Sequence, residues 1–534
     1  MEQTLPECDV VLIGMGPTGL VLANLLGQRG WTVAGFEADA DVYYAPRAVH
    51  FDDEAMRIFQ QAGLHEEMSR SCEPFQGMEF RLKPRGKPIL RTKVGVQDRR
   101  HGFPGAWWFH QPTLERILRA GLERYPCVVP HYGTLVADIA QDDGGVTVTA
   151  TMPDGTRRSV RGRFAIGCDG GRSFTRKAAG LALESTDFDE AWVVVDTRTR
   201  SGTKDPDLPA NHFQCCNPAQ PVTYVPLSGP YYEWQFMVTD DKPEREVTDP
   251  VYVRQKLRAC ADLSKLEIIR IAYYRFHALW ARRWRNGRIV LAGDAAHQMP
   301  PFLGQGMCSG MRDAESLGWR LDLALKGYDY ARLLDEYERE RSEHVQHIIK
   351  GAMFLGNRIQ TRSRLMAFLR NNLVFRPANR VPLFNRLFMM VANRKRPIEN
   401  GFFGSNRRRL AGRLFPQPVV ARTDGTSVLL DEALGRGFAI VVRQGAISQP
   451  PPEIRGVADR LPIRLVTFGT KPEAGVVGDP SGALHTWFKR EKVDFALVRP
   501  DHYVYDAGQA HQLGAVLQSF LGSLPAPKTM EIPA

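Results

Sequence analysis

Residues Asp9 to Gly19 read DVVLIGMGPTG, and this stretch decides the fold. Asp9 to Ile13 is a short aliphatic run, the pattern of a strand buried on both faces. It passes directly into Gly14-Met15-Gly16-Pro17-Thr18-Gly19 and then into an apolar helical stretch, Leu20 to Gln28. In that strand-turn-helix setting the three glycines have separate tasks. Gly14 allows the tight turn, Gly16 lets backbone approach a pyrophosphate, and Gly19 lets helix pack on strand, with the helix N-terminus facing the phosphates. A second strand, Thr32 to Phe36, ends at Glu37, about 20 residues beyond the first glycine, where a carboxylate accepts ribose hydroxyls. The segment predicts a dinucleotide-binding unit at the start of an α/β chain.

Composition sets the bounds around this unit. With 534 residues the chain is too long for a single core, so several domains are expected. A hydrophobic fraction of 43% and a charged fraction of 24% are those of a folded globular protein. Eight cysteines show no CxxC and no metal-ligand spacing with the histidines, which predicts a reduced, cytoplasmic protein without a metal site. The adjacent Cys215 and Cys216 read as two thiols on opposite faces of a strand. The apolar stretch after Glu2 is broken by glycines, so it reads as neither signal peptide nor membrane span, and no other apolar run reaches spanning length.

The net charge of +11 permits attraction to nucleic acid, anionic lipid or acidic substrates and selects none of them. No nucleic-acid motif accompanies it, so nucleic acid is not an expected partner. The distribution of charge is more informative. From Gly351 to Ile398 there is no Asp or Glu, while Arg358, Arg362, Arg364, Arg370, Arg376, Arg380, Arg386 and Arg394 alternate with Phe, Leu and Met. The expectation is a set of amphipathic helices docked on the main body with solvated arginines, without stable membrane association; a membrane-surface helix is the alternative.

Four separated pieces then point to one long ligand. After Glu37 comes YYAPRAVHFDDEAMRIFQQAGL, a loop carrying Arg47 and then a helix; later come Gln111 in FHQPTLERIL and Gly167-Cys168-Asp169-Gly170, followed by Arg172 and Arg176. The fourth piece is LAGDAAHQMPPFLGQGMCSGMRDA, Leu291 to Ala314. Its Gly-Asp, double proline and spaced glycines suggest backbone shaped for close approach, with Asp294 an acceptor at a strand end. The plain structural readings are that Asp294 caps a turn and that Asp169 with Gly170 forms an Asx-turn.

Together, GMGPTG, the Asp169-Gly170 segment and Gly293-Asp294 followed by Pro300-Pro301 resemble the three fingerprints of the FAD-dependent aromatic hydroxylases, the class A flavoprotein monooxygenases. Within that family, PRAVHFDDEAMRIFQ and MPPFLGQGMCSGMRDA look closest to the 3-(3-hydroxyphenyl)propionate hydroxylases. The resemblance implies that Gly14, Gly16 and Gly19 hold the FAD pyrophosphate, Glu37 the adenosine ribose, and Arg47 and Gln111 the pyrophosphate or ribityl chain. It implies a place for Asp169 in the FAD site, ribityl contacts for Gly293 and Asp294, and a flavin floor from Pro301, Gly304, Gly306 and Met307, where a helix N-terminus points at the N1 and O2 edge. Leu303 stands where many relatives have Gly, and Cys308 where they have Asn, which removes an amide donor. NADH or NADPH would reduce FAD, and O₂ would add to form a C4a-hydroperoxyflavin that hydroxylates a phenol. With no second Gly-x-Gly-x-x-Gly, the nicotinamide is expected in a groove, with Arg172 or Arg176 at its phosphates or else simply solvated.

Between about Asp187 and Phe276 the runs AWVVVDTRT, NHFQCCN, PVTYVPL and YYEWQFMV predict an antiparallel sheet roofing the flavin. Alternation puts His212, Gln214 and Cys216 on one face, with Tyr224, Trp234 and Pro300 expected in the same substrate pocket. The group that deprotonates the phenol is not fixed; His212, Tyr224 and His297 are the candidates, and His297 also reads as a hydrogen-bonded loop residue. Near the C-terminus, Phe438 to Val442, Ile463 to Phe468 and Phe495 to Val498 read as strands and Gln509 to Leu521 as a helix. With Arg499-Pro500-Asp501-His502-Tyr503-Val504 this part resembles the thioredoxin-like appendage of some aromatic hydroxylases, and its lack of cysteine excludes dithiol chemistry.

The predicted fold is α/β with an α+β substrate domain: a discontinuous Rossmann-like FAD-binding domain (1–75, 101–186 and 281–350), an inserted antiparallel-sheet substrate domain (76–100 and 187–280), a basic helical connector (351–410) and a thioredoxin-like domain (411–534). The predicted activity is hydroxylation of a phenol resembling 3-(3-hydroxyphenyl)propionate, with O₂ and NAD(P)H, in aromatic catabolism and with a homodimer possible. Two alternatives are a non-hydroxylating flavin oxidoreductase or halogenase, for whose Trp-x-Trp string Trp280 and Trp284 are wrongly spaced, and a membrane-associated regulatory flavoprotein.

Overall fold

The computed structural model describes residues 3–43, 48–93, 99–239, 242–392, 396–404 and 410–525. The chain forms two compact units, residues 1–97, 104–314 and 345–394 in the first and 98–103, 315–344 and 395–534 in the second.

The first unit contains a nine-stranded sheet whose centre is parallel: Val128–Tyr132, Val33–Glu37, Cys8–Ile13 and Arg157–Gly167 lie side by side, with Ile289–Leu291 beyond them. Val10, Val11 and Leu12 are fully buried, as a strand covered on both faces requires. The helix Pro17–Gly27 follows, started by a proline whose missing N–H costs nothing in the first turn. Its Asn24 donates to the Leu118 carbonyl at 3.0 Å, fixing the helix Gln111–Leu122 beside it. This is the expected α/β arrangement, with boundaries shifted by a residue or a few.

The second large sheet of this unit has eight strands, in the order His297–Gln298, Leu266–Ala281, Leu183–Thr199, Tyr231–Met237, Val222–Pro226, His212–Cys215, Met78–Arg81 and Pro88–Thr92. Its two faces differ sharply in chemistry. One carries Val195, Phe213, Tyr224, Trp234 and Phe236, closed over by Val253 and Leu257 of the helix Pro250–Arg258. The other carries Asp196, Glu233 and Arg270, directly opposite one another across three strands, together with His212, Gln214 and Thr223. All six are buried. Cys215 lies in the first face's cluster and Cys216 in another with Phe80 and Phe375, and none of the eight cysteines is in a disulfide.

The basic segment is helical over Arg364–Leu369, Arg370–Phe375 (a π-helical turn), Arg376–Arg380 and Pro382–Ala392. Ala367, Asn371, Phe375 and Ala378 form a buried stripe at helical spacing, and Phe375 packs on Phe80 with ring centroids 4.8 Å apart. The docking expectation is therefore corrected in part. One stripe docks, yet Leu365, Phe368, Leu373, Leu383 and Phe384 face solvent, because the helix is apolar on more than one side.

In the second unit, Phe438–Arg443 runs parallel to Ile463–Gly469 and antiparallel to Phe495–Val498, which pairs with Val504–Gly508. Helices Glu453–Ala458, Ala483–Glu491 and Leu513–Ser523 connect and close this sheet, a thioredoxin-like order. The Arg-Pro-Asp string has a structural use here. Arg499 is fully buried between Glu340 and Asp501, reaching each at 2.5 Å, and Trp319 donates to Asp501 at 2.9 Å.

Candidate functional site

Register brings the sequence-predicted segments to one edge. Gly167 is paired with both Ile13 and Leu291, and Ile13 with Phe36, so Gly14, Cys168-Asp169, Ala292-Gly293 and Glu37 all follow the carboxyl ends of adjacent parallel strands. Ligands of open α/β sheets bind in the crevice outside such ends. The three glycines differ in their surroundings. A Cβ on Gly14, whose φ is +93°, would lie 2.5 Å from the Cys168 carbonyl, and one on Gly19 would lie 2.1 Å from the Gly14 oxygen. A Cβ on Gly16 would meet nothing within 4 Å. Two glycines thus close the turn, and the third faces open space at the helix N-terminus, where a pyrophosphate fits.

Side chains around this opening hold the loops in place. Glu37 accepts the Met15 amide at 2.8 Å and the Asp39 amide at 3.1 Å, so its carboxylate ties the glycine turn to the second strand. Asp169 accepts from Ser173 Oγ at 2.5 Å and from the Thr175 amide and hydroxyl at 2.8 and 2.9 Å; its carboxylate caps the short helix Phe174–Ala178. Gln111 accepts the Ala48 amide at 2.8 Å and donates to Glu115 at 2.7 Å, holding the loop that follows Arg47. Arg47 itself lies outside the described residues. Arg176 is neither solvated nor turned outward: it is buried and donates to the Ala295 carbonyl at 3.0 Å and to the Gly171 carbonyl at 3.2 Å. Arg172 is exposed.

The Gly293-Asp294 loop is fixed from the helix Gly306–Leu325. Asp313 on that helix accepts the Gly293 amide at 3.0 Å and lies 2.7 Å from His297 Nε2, with His297 and Asp313 buried. Gly293 and Gly310 both abut Thr18, where a Cβ would approach the Thr18 hydroxyl to 2.6 and 2.3 Å, so the first and third fingerprints are in contact. Asp294 is exposed at the crevice, while Pro301, Gly304, Gly306 and Met307 are half-buried. Arg312 joins this helix to Asp52 and, at 2.7 Å, to Glu54, and donates to Gln305 at 3.0 Å. Cys308 turns its thiol to the Gly304 carbonyl at 3.7 Å.

Beside Gly304 lies a residue that sequence reasoning missed. His50 Nδ1 is 3.5 Å from the Gly304 oxygen, and a Cβ on Gly304 would come within 2.8 Å of that nitrogen. The His50 ring meets Trp108 edge-on at 5.7 Å, and Trp108 is 5.5 Å from the His212 ring. His212 Nε2 is 3.2 Å from Gln214 Nε2, and Gln214 accepts from Thr223 at 2.8 Å. Burial, and then the neighbouring His50, push the His212 imidazole down to about 3. His50 carried a signal, the strand before FDDE, but its partner Trp108 is remote in sequence.

Two expectations are corrected by register. Tyr224 pairs with Phe213 and Trp234, so both Tyr224 and Trp234 point away from His212 and Gln214. A one-residue offset in a strand exchanges faces. Tyr224 donates to the Pro209 carbonyl at 2.9 Å inside the apolar cluster, and burial pushes its hydroxyl pKa far up; Trp234 donates to Thr197 at 3.1 Å. Neither reaches the polar face. His297, tied to Asp313 and tilted against Trp284 with ring centroids 5.3 Å apart, is a loop-fixing residue, and Pro300 is buried.

Comparison with known proteins identifies the family of the chain. An FAD binding domain family matches residues 7–352, and an HcaD C-terminal domain matches residues 412–523. The chain is 34% identical to a "Probable NADH-specific resorcinol 4-hydroxylase" of Rhodococcus jostii strain RHA1, over 97% of each chain. It is also 34% identical to a 3-(3-hydroxy-phenyl)propionate/3-hydroxycinnamic acid hydroxylase of Mycobacterium sp. strain JLS, over 98% of this chain and 93% of that one. Among solved structures, the flavin-dependent monooxygenase PieE in complex with FAD and substrate superposes with a TM-score of 0.82 at 20% identity, covering 98% of this chain and 99% of that one. Aklavinone-11 hydroxylase with FAD and aklavinone gives 0.78 at 22%, covering 98% and 100%.

Proposed function

Because the chain belongs to the FAD-binding family of flavin-dependent aromatic hydroxylases, we propose that it hydroxylates a phenol carrying a short carboxylate side chain, of the 3-(3-hydroxyphenyl)propionate class, with O₂ and NADH or NADPH. The observation that carries the reading is the convergence of three fingerprint loops on one crevice, next to a half-buried His50 and the buried polar face bearing His212. FAD, when bound, supplies electron transfer from the nicotinamide and activation of O₂. Gly14, Gly16 and Gly19 with the helix N-terminus receive its pyrophosphate, and Glu37 and Asp294 offer carboxylates to its hydroxyls.

The chain's own tasks are to orient the ring, shed water and move one proton. His212 meets a phenol as a neutral imidazole, since its depressed pKa keeps it uncharged through the working range. It therefore orients the hydroxyl by hydrogen bonding. His50, on the crevice side next to Gly304, is the group we assign to accept the phenolic proton. Trp108 and Phe75 pack about these two rings and supply apolar walls that exclude water. Resorcinol, in the name of one relative, has a phenol but no carboxylate, so a simple dihydroxybenzene belongs in the same test.

The test is NADH and NADPH oxidation by the purified flavoprotein, with and without 3-(3-hydroxyphenyl)propionate or resorcinol, and product identification by mass. Accelerated oxidation with gain of one oxygen supports the reading. Acceleration that yields only H₂O₂ moves the substrate to another phenol, and no response across a phenol panel overturns the hydroxylase assignment. Size-exclusion chromatography with light scattering decides whether the protein is a dimer.

A further inference from the structure

The basic helices of residues 354–387 leave an apolar surface that the fold does not use. Phe354, Leu365, Phe368, Leu373, Leu383 and Phe384 are each 53 to 68% exposed, and most of the large apolar side chains that reach solvent among the described residues fall in this stretch. Single exposed leucines need no explanation, but a cluster of this kind marks a contact surface. The buried stripe of Ala367, Asn371, Phe375 and Ala378 already satisfies docking to the body. What remains is a second apolar side of the same helices.

Charge selects the partner. Arg358, Arg362, Arg364, Arg376, Arg380 and Arg386 are exposed, and no acidic residue occurs between Gly351 and Ile398. If two copies met through this face about a two-fold axis, the same patch would oppose itself. Arginines would then face arginines with no carboxylate from the segment between them. An anionic lipid surface fits both features: apolar side chains enter the acyl boundary while guanidinium groups at the rim engage phosphates. Arg358 already holds its guanidinium over the Phe354 ring, 5.0 Å from its centroid, so a cationic head and an apolar ring share this surface. No helix among the described residues is long and apolar enough to cross a membrane, so the contact is peripheral.

We propose that the helices of residues 354–387 dock this enzyme reversibly on anionic lipid bilayers, Leu365, Phe368, Leu373, Leu383 and Phe384 inserting and the surrounding arginines binding headgroup phosphates. This is a surface added to the hydroxylase, and it reverses the expectation of no stable membrane association. The test is co-sedimentation of the FAD-loaded, full-length protein with phosphatidylcholine vesicles containing about one-third phosphatidylglycerol, against pure phosphatidylcholine vesicles. Binding should occur on the anionic vesicles and weaken with salt. It should fall about tenfold or more in a Leu383→Ser/Phe384→Ser variant and in an Arg364→Gln/Arg376→Gln/Arg380→Gln/Arg386→Gln variant.

Both variants change exposed side chains, so flavin absorbance and the thermal midpoint should stay as in the parent. Equal sedimentation with and without anionic lipid would overturn the proposal. So would anionic binding unchanged in both variants, which would place the contact elsewhere. Light scattering that shows a dimer in the parent and a monomer in the Leu383→Ser/Phe384→Ser variant would also overturn it and assign the face to self-association.

Discussion

His297 Nε2 lies 2.7 Å from Asp313 Oδ2, the same oxygen that accepts the Gly293 amide, so one buried carboxylate fixes both ends of the Gly293-Asp294 loop. Replacing Asp313 with Ala leaves two buried groups without their partner, at a cost of about 1–3 kcal/mol each. The loop then presents Asp294 with less preorganisation. Asp313→Ala should lower the thermal midpoint and weaken FAD binding roughly tenfold, equivalent to about 1.4 kcal/mol, as read by flavin fluorescence titration of the apoprotein. Asp313→Asn, which keeps one acceptor, should recover part of both losses.

The three fingerprint glycines make a sharper comparison. At Gly14 and Gly19 an added Cβ collides with backbone atoms at 2.5 and 2.1 Å, and the positive φ of Gly14 adds strain. Gly19→Ala should therefore damage folding itself. At Gly16 nothing lies within 4 Å, and φ is an ordinary −76°. Gly16→Ala should leave the apoprotein's thermal midpoint within about a degree or two of the parent, in keeping with a surface change of under about 0.5 kcal/mol. Its FAD affinity should nonetheless fall, because the methyl occupies the space kept open for phosphate. Equal FAD affinity in Gly16→Ala would move the pyrophosphate elsewhere.

Much of this crevice was legible in the sequence because its elements are local. A strand, a glycine turn and a helix follow one another over Asp9 to Gln28, although the crowding of Gly14 comes from Cys168, remote in the chain. The face assignment in the roof sheet was not legible. Alternation within His212–Cys215 is correct, but whether Tyr224 shares that face depends on register with Val222–Pro226, which no single strand encodes. A motif singles out Asp169 and Gln111, but their bonds to Thr175 and the Ala48 amide are visible only in the fold. His50 and Trp108 meet through pairing of His50–Asp52 with Ala106–Trp108, far apart in the chain.

The two faces of that sheet predict opposite phenotypes. Trp234→Ala opens a cavity among Tyr224, Phe236 and Val195 and should cost about 3–5 kcal/mol in urea unfolding, with little effect on KM for the phenol in the folded fraction. His212→Ala and Gln214→Ala, on the polar face, should raise KM for the phenol with a smaller stability cost. His50→Asn should instead lower kcat most around neutral pH, where a neutral imidazole can take a proton that the phenol does not yet shed unaided. If His50→Asn leaves the kcat profile unchanged, the proton acceptor is another group.

Asp196 and Glu233 sit directly opposite one another on that polar face, both buried, with Arg270 Nε 2.7 Å from Asp196. Burial raises both carboxyls; Asp196 raises Glu233 further, while Arg270 and the hydrogen bond with Glu233 lower Asp196 only in part. The pair therefore keeps a proton that the unfolded chain gives up in the ordinary carboxylate range near pH 4. Since the folded state holds more protons there, raising the pH favours unfolding: this contribution is fully present below the ordinary carboxylate range and is lost as pH climbs through the raised value of the pair. Urea midpoints between about pH 5 and 8 should decline with pH in the parent. Glu233→Gln, which carries its own fixed donor, should flatten that decline and be the more stable protein at the alkaline end. Asp196→Asn should destabilise, because it removes the carboxylate 2.7 Å from the buried Arg270 guanidinium and leaves Glu233 to balance that charge, a loss of up to about 3–5 kcal/mol. A parent protein whose midpoint rises with pH across this range would show that the pair is ionised on both carboxylates.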